Sequence, residues 1–408
     1  MFQRLSRRVV VRSVVAAAAG SLIALAGCGK SEPGGAGGGG TAAPKPASGG
    51  AGDVIKVGHY GALTGAQATF GVSTDNGIKL AIQEVNAAGG VVMKGTKHRV
   101  ELVSDDTEGK PEKAGTVVTK LITKDGVVAV LGEVASGVSM QGAPVCQQYG
   151  VPMITPSSTN PAVTQKGDMI FRVCFLDPFQ GYAGAKFMLE DLKLKKAALL
   201  FDQAAPYSVG LKDEFAKALK AMGGEVVSEQ AYSAGAADFN AQLTRIRESN
   251  PDVIYIPGYY SDIAAIAIQA RKLGMKQPLL GGDGWDSEEL GKNAGDAIEG
   301  CFYTNHYAVD NPTPEITRFV GEYQKAYGGA TPDGLAALGY DAAKVLFAAM
   351  EKAGTTEGQQ LRGAIAGTKD FPGVTGSITL NADRDAVKPA VVVERKGGKW
   401  VFRAQIRP

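Results

Sequence analysis

The segment VVAVLGEVASGVSMQGAPVCQQYGVPMITPSSTNP, from Val127 to Pro161, decides the fold because it contains two strand-to-loop units in succession. An apolar run at 127–131 precedes one loop, and a second run at 151–155 precedes another. Runs of this length that are rich in β-branched residues are typical of buried strands in a parallel sheet. Both loops are rich in hydroxyls and small residues. Ligands of such sheets bind beyond the carboxyl ends of the strands, so the pattern predicts a site for a small anion such as a carboxylate.

The rest of the chain continues this alternation on both sides of the segment. Before it, apolar strands near 54–58 and 98–103 alternate with helical patterns over 71–86 and 111–124. After it, a second series of the same kind runs to about residue 281. Regular alternation of strands and helices predicts parallel sheets covered by helices on both faces. We therefore predict an α/β fold of two doubly wound parallel-sheet lobes with a hinged cleft between them.

The predicted domain boundaries follow the shifts in composition and the breaks in this alternation. They define a lipoprotein signal peptide (1–28), a flexible tether rich in Gly, Pro and Ala (29–52), the first part of lobe 1 (53–174), lobe 2 (175–303), the second part of lobe 1 (304–372) and C-terminal strands that mainly return to lobe 2 (373–408).

The first 28 residues have the organisation of an export signal. Arginines precede a short apolar segment that ends in Leu25-Ala26-Gly27-Cys28, which is similar to the bacterial lipobox. By this resemblance, Cys28 becomes the lipidated first residue of the exported protein. A plain secretory signal is the alternative. The sequence thus predicts a protein that a lipid anchor holds at the cell envelope, in the periplasm or at the outer face of the membrane.

Composition excludes several classes of function. The chain has 408 residues, a hydrophobic content of 44% and a net charge of +2, without the basic excess of a nucleic-acid binder. Its three histidines do not fall at metal-ligand spacing, so no metal site is predicted. The sequence has no Gly-x-Gly-x-x-Gly after its first strand, no Walker loop and no Gly-x-Ser-x-Gly. We predict neither an enzyme nor a cofactor.

Three cysteines follow the signal peptide, namely Cys146, Cys174 and Cys301. Cysteine pairs of exported proteins usually oxidise. Because Cys146 and Cys174 flank the second strand–loop unit, we expect a disulfide between them, worth about 3 kcal/mol by the chain-entropy model. Three buried thiols are the alternative.

A series of short motifs, in their order and spacing, resembles the leucine/isoleucine/valine-binding protein family. The motifs are Leu63-Thr64-Gly65, Ala87-Ala88-Gly89-Gly90, Pro156 to Pro161 with Phe171-Arg172, Gly258-Tyr259-Tyr260 and Gly281-Gly282-Asp283-Gly284. Members of this family are extracytoplasmic substrate-binding proteins of branched-chain amino acid ABC transporters and have the type I periplasmic binding fold. The resemblance covers about residues 53 to 408 and implies a binding protein that works with an ABC transporter permease. We expect a monomer.

The resemblance implies that an amino acid binds as a zwitterion between the lobes. By this resemblance, Ser136 and Thr159 bind the carboxylate of the ligand. The Ser157 carbonyl, the Thr159 hydroxyl and Asp283 bind its ammonium group. Ser158 belongs to the same loop. Each charge-assisted hydrogen bond is worth about 1.5–3 kcal/mol, and a buried ammonium requires a counter-charge. A turn residue is the alternative for Asp283, since Asp-Gly is a common turn.

Aromatic residues are expected to form the pocket for the ligand side chain. The candidates are Phe70, Tyr207, Tyr259 or Tyr260, Trp285 and Tyr303. Ordinary core packing is the alternative for each of them.

Three residues depart from the family pattern. Asp283 stands where the branched-chain binders carry Glu, Trp285 brings a large ring near the side-chain pocket, and Glu133 adds a charge close to the carboxylate end unless it points away. A smaller or more polar amino acid, or an amide, therefore stays open as the ligand. The predicted function is a solute-binding lipoprotein that captures an amino acid, of the branched-chain type first, and delivers it to an ABC permease. The alternative is a ligand sensor of the same fold for an amide, urea or a small polar amino acid.

Overall fold

A computed structural model describes residues 54–408. The predicted signal peptide, the tether and the Cys28 lipidation site lie outside the described residues. The strands are β1 (Ile55–Gly61), β2 (Val91–Met93), β3 (Thr96–His98), β4 (Val100–Asp106), β5 (Ala129–Leu131), β6 (Met153–Thr155), β7 (Ile170–Arg172), β8 (Lys196–Asp202), β9 (Glu225–Tyr232), β10 (Val253–Ile256), β11 (Leu279–Gly281), β12 (Phe302–Asn305), β13 (Phe371–Gly373), β14 (Gly376–Leu380), β15 (Ala386–Val387), β16 (Ala390–Lys396) and β17 (Lys399–Ile406). The α-helices are α1 (Ala68–Ala87), α2 (Pro111–Lys120), α3 (Ser136–Tyr149), α4 (Asp177–Lys186), α5 (Pro206–Ala221), α6 (Asn240–Glu248), α7 (Tyr260–Lys272), α8 (Glu288–Ala294), α9 (Pro314–Ala326), α10 (Gly334–Ala353) and α11 (Gly358–Ala366).

The first large sheet contains the two strands of the segment that decides the fold. Its order is β4-β1-β5-β6-β7, and every neighbouring pair is parallel. All residues of β5 and β6 are buried, as expected for strands covered by helices on both faces. Leu131 pairs with Ile154, so the loops that follow β5 and β6 leave the sheet side by side at one edge.

The second large sheet repeats the same winding and then extends it. Its order is β17-β16-β12-β11-β10-β8-β9, in which β8 to β12 form parallel pairs and β16 and β17 add antiparallel ones. The chain enters this sheet after β7, leaves it after β12 and returns with β16. The two sheets confirm the predicted α/β class.

Between β12 and β16, the long helix α10 returns to the first lobe and packs against α1. A Cβ atom at Gly77 in α1 would lie 2.0 Å from the Ala336 carbonyl oxygen, so the two helices approach closely at this glycine. Asp333 caps the start of α10, where its carboxylate accepts a hydrogen bond of 2.8 Å from the Ala336 backbone N–H. Gly354, with φ of 64°, ends the helix in the left-handed conformation.

The predicted disulfide is wrong. Among residues 54–408, Cys146, Cys174 and Cys301 are all buried free thiols. Cys146 packs in a core cluster with Val118 and Met153, whereas Cys174 belongs to a different cluster and its Sγ lies 3.4 Å from the Ser158 carbonyl oxygen. Because the two thiols are held in separate parts of the core, a bridge would require the core to rearrange. Burial raises the pKa of Cys174 to about 12, so this thiol stays protonated at neutral pH.

No helix in the described part of the chain combines the length and apolar character needed to cross a membrane.

Candidate ligand-binding site

The two loops that follow β5 and β6 are joined to each other by side-chain hydrogen bonds. The Ser136 hydroxyl, at the start of α3, accepts from the Asn160 backbone N–H at 3.3 Å. The Ser158 hydroxyl lies 2.7 Å from the Ser139 hydroxyl and donates to the Glu133 carbonyl at 2.9 Å. Ser158 therefore uses its side chain to hold the loops together.

Its neighbours Ser157 and Thr159 have a different role. Their side chains are buried, yet neither hydroxyl oxygen has a hydrogen-bond partner within residues 54–408. A buried polar group without a partner costs about 1–3 kcal/mol. Ser157 lines the narrow cavity between the lobes, whereas Thr159 is fully buried beside Asp177.

Asp283 lies opposite these hydroxyls, in a short 3-10 turn that follows β11. It is 5% exposed. Its Oδ1 atom accepts from Gln180 Nε2 and from the Tyr207 hydroxyl, each at 2.9 Å, and its Oδ2 atom lies 3.1 Å from His306 Nε2. Residues of α4 and α5 and the residue that follows β12 therefore hold this carboxylate in place.

Aromatic rings from both lobes close over the site. Tyr207 and Tyr259 are stacked with centroids 5.1 Å apart, and the Phe70 ring meets the edge of Tyr259 at 5.8 Å. The enclosed cavity has a volume of about 10 Å³, room for one water molecule. Its lining residues are Phe70, Val134, Ser157, Tyr207, Tyr259, Asp283, Gly284 and Leu335. Five of the predicted site residues thus line one narrow cavity between the lobes.

The structure places the other aromatic candidates away from this cavity. Trp285 is fully buried beneath it, where its Nε1 donates to the Ile256 carbonyl at 2.9 Å. The Tyr303 hydroxyl donates to Asp286 at 2.9 Å. The Tyr260 hydroxyl accepts from the Thr69 backbone N–H at 3.4 Å and so joins the lobes. The Trp285 ring consequently takes no space from a ligand in the cleft.

Glu133 points away from the cavity. Its carboxylate accepts from the backbone N–H groups of Ala62 at 3.0 Å and Ala135 at 2.5 Å and from the Thr107 hydroxyl at 3.3 Å. Burial raises the pKa of Glu133 to about 7. This acid connects three loops at the carboxyl edge of the first sheet, which the sequence alone did not reveal.

Arg172 holds the loop that follows β6, a role that sequence reasoning did not assign although Phe171-Arg172 was among the family motifs. Its guanidinium donates to the carbonyl of Ser158 and, at 2.9 Å, to that of Asn160. A buried ion pair of 2.6 Å with Asp385 orients the guanidinium. Two carbonyls of the loop are thereby fixed in direction.

A second, larger cavity of about 720 Å³ shares no lining residue with the cleft. Asp286 and Asp333 contribute to its wall. The Asp286 carboxylate is satisfied by Tyr303, Asn305 and the Gly334 backbone N–H, and the Asp333 carboxylate accepts from Ser73 and the Ala336 N–H. The protein itself thus satisfies these acids, whereas the cleft between the lobes keeps unpartnered polar atoms. The cleft is therefore the candidate site.

Buried acids make the stability of the ligand-free protein depend on pH. Burial raises the pKa of Glu133 to about 7, that of Asp333 to about 7 and that of Asp177 to about 8. In the unfolded chain these groups titrate near 4. The folded state therefore holds more protons between about pH 4 and pH 8, and the free energy of unfolding must fall as pH rises through this window, by about 1.4 kcal/mol per pH unit for each proton. Two groups oppose this trend with one proton each: His306, whose pKa is lowered by burial, below about pH 6.5, and Lys388, whose pKa burial lowers to about 8, near the upper end of the window. The three acids outweigh them.

We expect the midpoint of thermal unfolding of residues 53–408 to decrease from pH 5 to pH 8, and the Glu133→Gln variant to show a shallower decrease. Differential scanning calorimetry without ligand measures both slopes. An exposed acid replaced in the same way, Asp213→Asn, serves as the control and should retain the wild-type slope, because its side chain is 62% exposed. A wild-type midpoint that is flat or rises across this range would contradict the prediction.

The geometry defines the class of protein first. Two α/β lobes face each other across a cleft in which unpartnered hydroxyls lie opposite a buried carboxylate, and aromatic rings of both lobes enclose the space between them. This is the arrangement of a binding protein that encloses a small polar ligand.

The relatives identify the family. The family model described as periplasmic binding protein matches residues 54–399. The Leu/Ile/Val-binding protein homolog 2 of Brucella abortus is 32% identical over 354 residues, which span 85% of this chain and 93% of that protein. The leucine binding protein LivK of Thermotoga maritima is 39% identical with a TM-score of 0.82 and covers 87% of this chain and 99% of its own. LivJ of Streptococcus pneumoniae, solved in complex with isoleucine, is 32% identical with a TM-score of 0.80 over 86% and 99% of the two chains.

The chain therefore belongs to the leucine/isoleucine/valine-binding proteins of the periplasmic binding protein family. This confirms the predicted family and the type I periplasmic binding fold. The prediction that the protein is not an enzyme is confirmed as well, since these relatives are binding proteins.

Proposed function

We propose that this protein captures a branched-chain amino acid as a zwitterion in the cleft between its lobes and delivers it to an ABC transporter permease. The observation that carries the proposal is the pair of buried, unpartnered hydroxyls of Ser157 and Thr159 opposite Asp283. Groups of this kind supply acceptors and donors to both charged ends of an amino acid, and the family relationship supports the ligand class.

The carboxylate of the ligand binds at the start of α3 in this proposal. Ser136 is the first residue of that helix of 14 residues, and its free N–H groups and dipole favour an anion. Thr159 adds a hydroxyl to the same end. The ammonium then lies between the Ser157 carbonyl, the Thr159 hydroxyl and Asp283.

The aliphatic side chain of the ligand packs among the apolar residues of the cleft, namely Phe70, Val134, Tyr207, Tyr259 and Leu335. The enclosed volume of about 10 Å³ is much smaller than an amino acid side chain. Entry of the ligand therefore requires the lobes to separate and to close again around it, as hinged two-lobe proteins do.

We further propose that a lipid on Cys28 keeps the protein at the cell envelope and that it works as a monomer. The similarity of Leu25-Ala26-Gly27-Cys28 to a lipobox supports the anchor. The Gly-, Pro- and Ala-rich segment 29–52 has the composition of a flexible tether, which would let the binding lobes reach a permease in the same membrane.

The narrow cleft favours a second candidate, a sensor or uptake protein for an amide, urea or a small polar amino acid. Such ligands need less space than leucine, and Asp283 is one carbon shorter than the Glu of the branched-chain binders. A solute binding protein of R. palustris, 27% identical with a TM-score of 0.78, was solved in complex with benzoate, which has no ammonium group. The fold thus also accommodates ligands that are not zwitterions.

A thermal-shift screen of residues 53–408 separates the two candidates. The ligands are the twenty common amino acids, acetamide, urea and benzoate, each at millimolar excess. A ligand at 1,000 times its dissociation constant stabilises the folded state by about 4 kcal/mol, which raises the midpoint of unfolding by several degrees. We expect the largest shifts with leucine, isoleucine and valine. A shift with amides or urea alone would replace the proposal by the second candidate, and no shift with any amino acid would overturn it.

A further inference from the structure

A second acid, Asp177, neighbours Thr159 of the proposed ammonium subsite, although it is not among the residues that line the narrow cavity. Asp177 is the first residue of α4, and it is fully buried, with 0% of its surface exposed. Neither of its carboxylate oxygens has a hydrogen-bond partner within residues 54–408. A buried carboxyl group is normally hydrogen-bonded, so two open oxygens on one side chain indicate a missing polar neighbour.

Other polar groups around Asp177 also lack hydrogen-bond partners. Its backbone N–H donates to the Thr159 carbonyl at 3.0 Å, so the two residues are direct neighbours. The Thr159 hydroxyl lies close enough to lower the pKa of the Asp177 carboxyl, yet neither side chain completes a hydrogen bond. In the described chain, Gln180 Oε1 and the Tyr255 hydroxyl also lack partners. Polar atoms without a partner in the described chain therefore occur on the same helix as Asp177, at Gln180, and on Tyr255, whose pKa the Asp177 charge raises.

Asp283, unlike Asp177, already accepts hydrogen bonds from the protein. Gln180, Tyr207 and His306 already occupy three of its acceptor positions. Asp177 lies one helical turn before Gln180, whose amide nitrogen holds Asp283. An ammonium that enters between these residues has three hydrogens to donate. The carboxylate with open positions is that of Asp177.

We propose that Asp177 is the second acid of the ammonium subsite, acting together with Asp283 and Thr159 on the amino group of the ligand. The inference rests on the proposed function and makes it more specific. It predicts that the site selects ligands with a primary ammonium group over those that carry only a carboxylate.

Ligand capture should then be coupled to the release of a proton. Burial raises the pKa of Asp177 to about 8, so this carboxyl is mostly neutral at pH 7 in the empty protein. Among its charged neighbours, Asp283 and Glu214 oppose ionisation and Arg172 favours it. The other titratable groups that face it are the neutral phenols of Tyr207, Tyr255 and Tyr259. An ammonium beside the carboxyl adds a positive charge and lowers its pKa, so Asp177 loses its proton when the ligand binds.

Isothermal titration calorimetry tests the inference with leucine as the probe and residues 53–408 as the protein. Titrations at pH 7 in two buffers with different ionisation enthalpies count the protons that binding releases. We expect the wild type to release close to one proton. The Asp177→Asn variant should release almost none and bind leucine at least tenfold more weakly, because Asn matches the size of Asp but supplies no charge.

Two comparisons make the test specific. Asp262→Asn, which changes another largely buried acid of the second lobe, should retain the wild-type affinity and proton count. The deaminated analogue 4-methylpentanoate should bind the wild type and Asp177→Asn with equal affinity. If Asp177→Asn does not fold, as its melting curve would reveal, the smaller neutral variant Asp177→Ser takes its place.

Wild-type affinity and wild-type proton release in Asp177→Asn would overturn the inference while leaving the proposed function intact. The failure of every amino acid to bind the wild type would overturn the proposed function, and this inference with it.

Discussion

The Asp283→Ala variant is expected to lose nearly all of the stabilisation that leucine gives to the wild type. In the proposed complex, Asp283 supplies the counter-charge for a buried ammonium. Removing one partner of a buried, hydrogen-bonded charge pair costs about 2–5 kcal/mol of binding free energy. This corresponds to a dissociation constant about 30-fold to several-thousand-fold higher. Isothermal titration calorimetry of residues 53–408 with leucine measures the change directly.

Three further variants show whether the charge itself is responsible. Asp283→Asn keeps the size of the side chain and should lose affinity almost as strongly as Asp283→Ala. Asp283→Glu restores the acid of the branched-chain binders and should retain binding. Asp213→Asn, an exposed acid on α5 of the same lobe, should bind like the wild type. An Asp283→Ala variant with wild-type affinity for leucine would show that the ammonium is held elsewhere.

Loss of Asp283 should also affect the empty protein, which must be measured separately. Gln180, Tyr207 and His306 direct their polar atoms at this carboxylate, and alanine would leave the Tyr207 hydroxyl and His306 Nε2 without this partner, whereas Gln180 would keep Thr304. Such unpartnered groups cost about 1–3 kcal/mol each when buried. The melting curve without ligand therefore provides the baseline, and only the difference between loaded and empty protein reports on binding.

The sequence located the two central loops because the relevant information is local. The apolar runs at 127–131 and 151–155 are too short and too uniformly apolar for surface helices, and each ends where hydroxyl-rich residues begin. Parallel pairing then puts both loops at the same edge of the sheet, as the register of Leu131 with Ile154 shows. For the same reason, the predicted strand and helix boundaries lie close to the observed ones. Helix α1, for example, spans 68–87, and the sequence pattern predicted 71–86.

The hydrogen-bond partners of Asp283 and the residues around Asp177 could not be predicted from local sequence patterns. Gln180 and Asp283 are 103 residues apart, and they meet only because α4 packs beside the carboxyl end of β11. No periodic pattern in the sequence predicts the contact between these two residues. The cysteines show the opposite error, because proximity in sequence suggested a contact between Cys146 and Cys174 that the core packing prevents.

The sequence also did not show in which direction each side chain of a turn points. Asp283 and Trp285 lie two residues apart in the same 3-10 turn. Asp283 lines the cleft, whereas Trp285 turns back against β11, where its ring passes so close that a Cβ atom on Gly281 would lie 2.2 Å from it. A glycine at this position is what lets the ring fold under the site. The motif Gly281-Gly282-Asp283-Gly284 contains this requirement, but only the structure shows which side chain uses the space.

The loop that follows β6 is held by a buried charge pair outside the narrow cavity. Arg172, at the end of β7, is completely buried, and Asp385 is its only carboxylate partner within the described chain. The same guanidinium donates to Ser158, Asn160 and Thr164, so it fixes the orientation of the loop that follows β6. Asp385 lies in the segment that precedes β15, more than 200 residues away in sequence. The C-terminal part of the chain thus helps to position a loop of the first lobe.

The Asp385→Ala variant is therefore expected to lower the free energy of unfolding by about 3–5 kcal/mol, because it leaves the buried charge of Arg172 uncompensated. Urea denaturation of the ligand-free protein measures this loss. Asp383→Ala, an exposed acid in the same turn, is the matched control and should change the stability by less than about 0.5 kcal/mol.

The double variant Arg172→Met/Asp385→Leu separates the charge from the packing. Replacing a buried ion pair by apolar residues of similar volume is often nearly neutral, so the double variant should be more stable than Asp385→Ala. Its affinity for leucine should nevertheless fall, since methionine cannot donate to the carbonyls of Ser158 and Asn160. A double variant as unstable as Asp385→Ala would show that the lost hydrogen bonds of Arg172 to the loop cost as much as the uncompensated charge. Wild-type affinity in the double variant would show that the loop keeps its shape without Arg172.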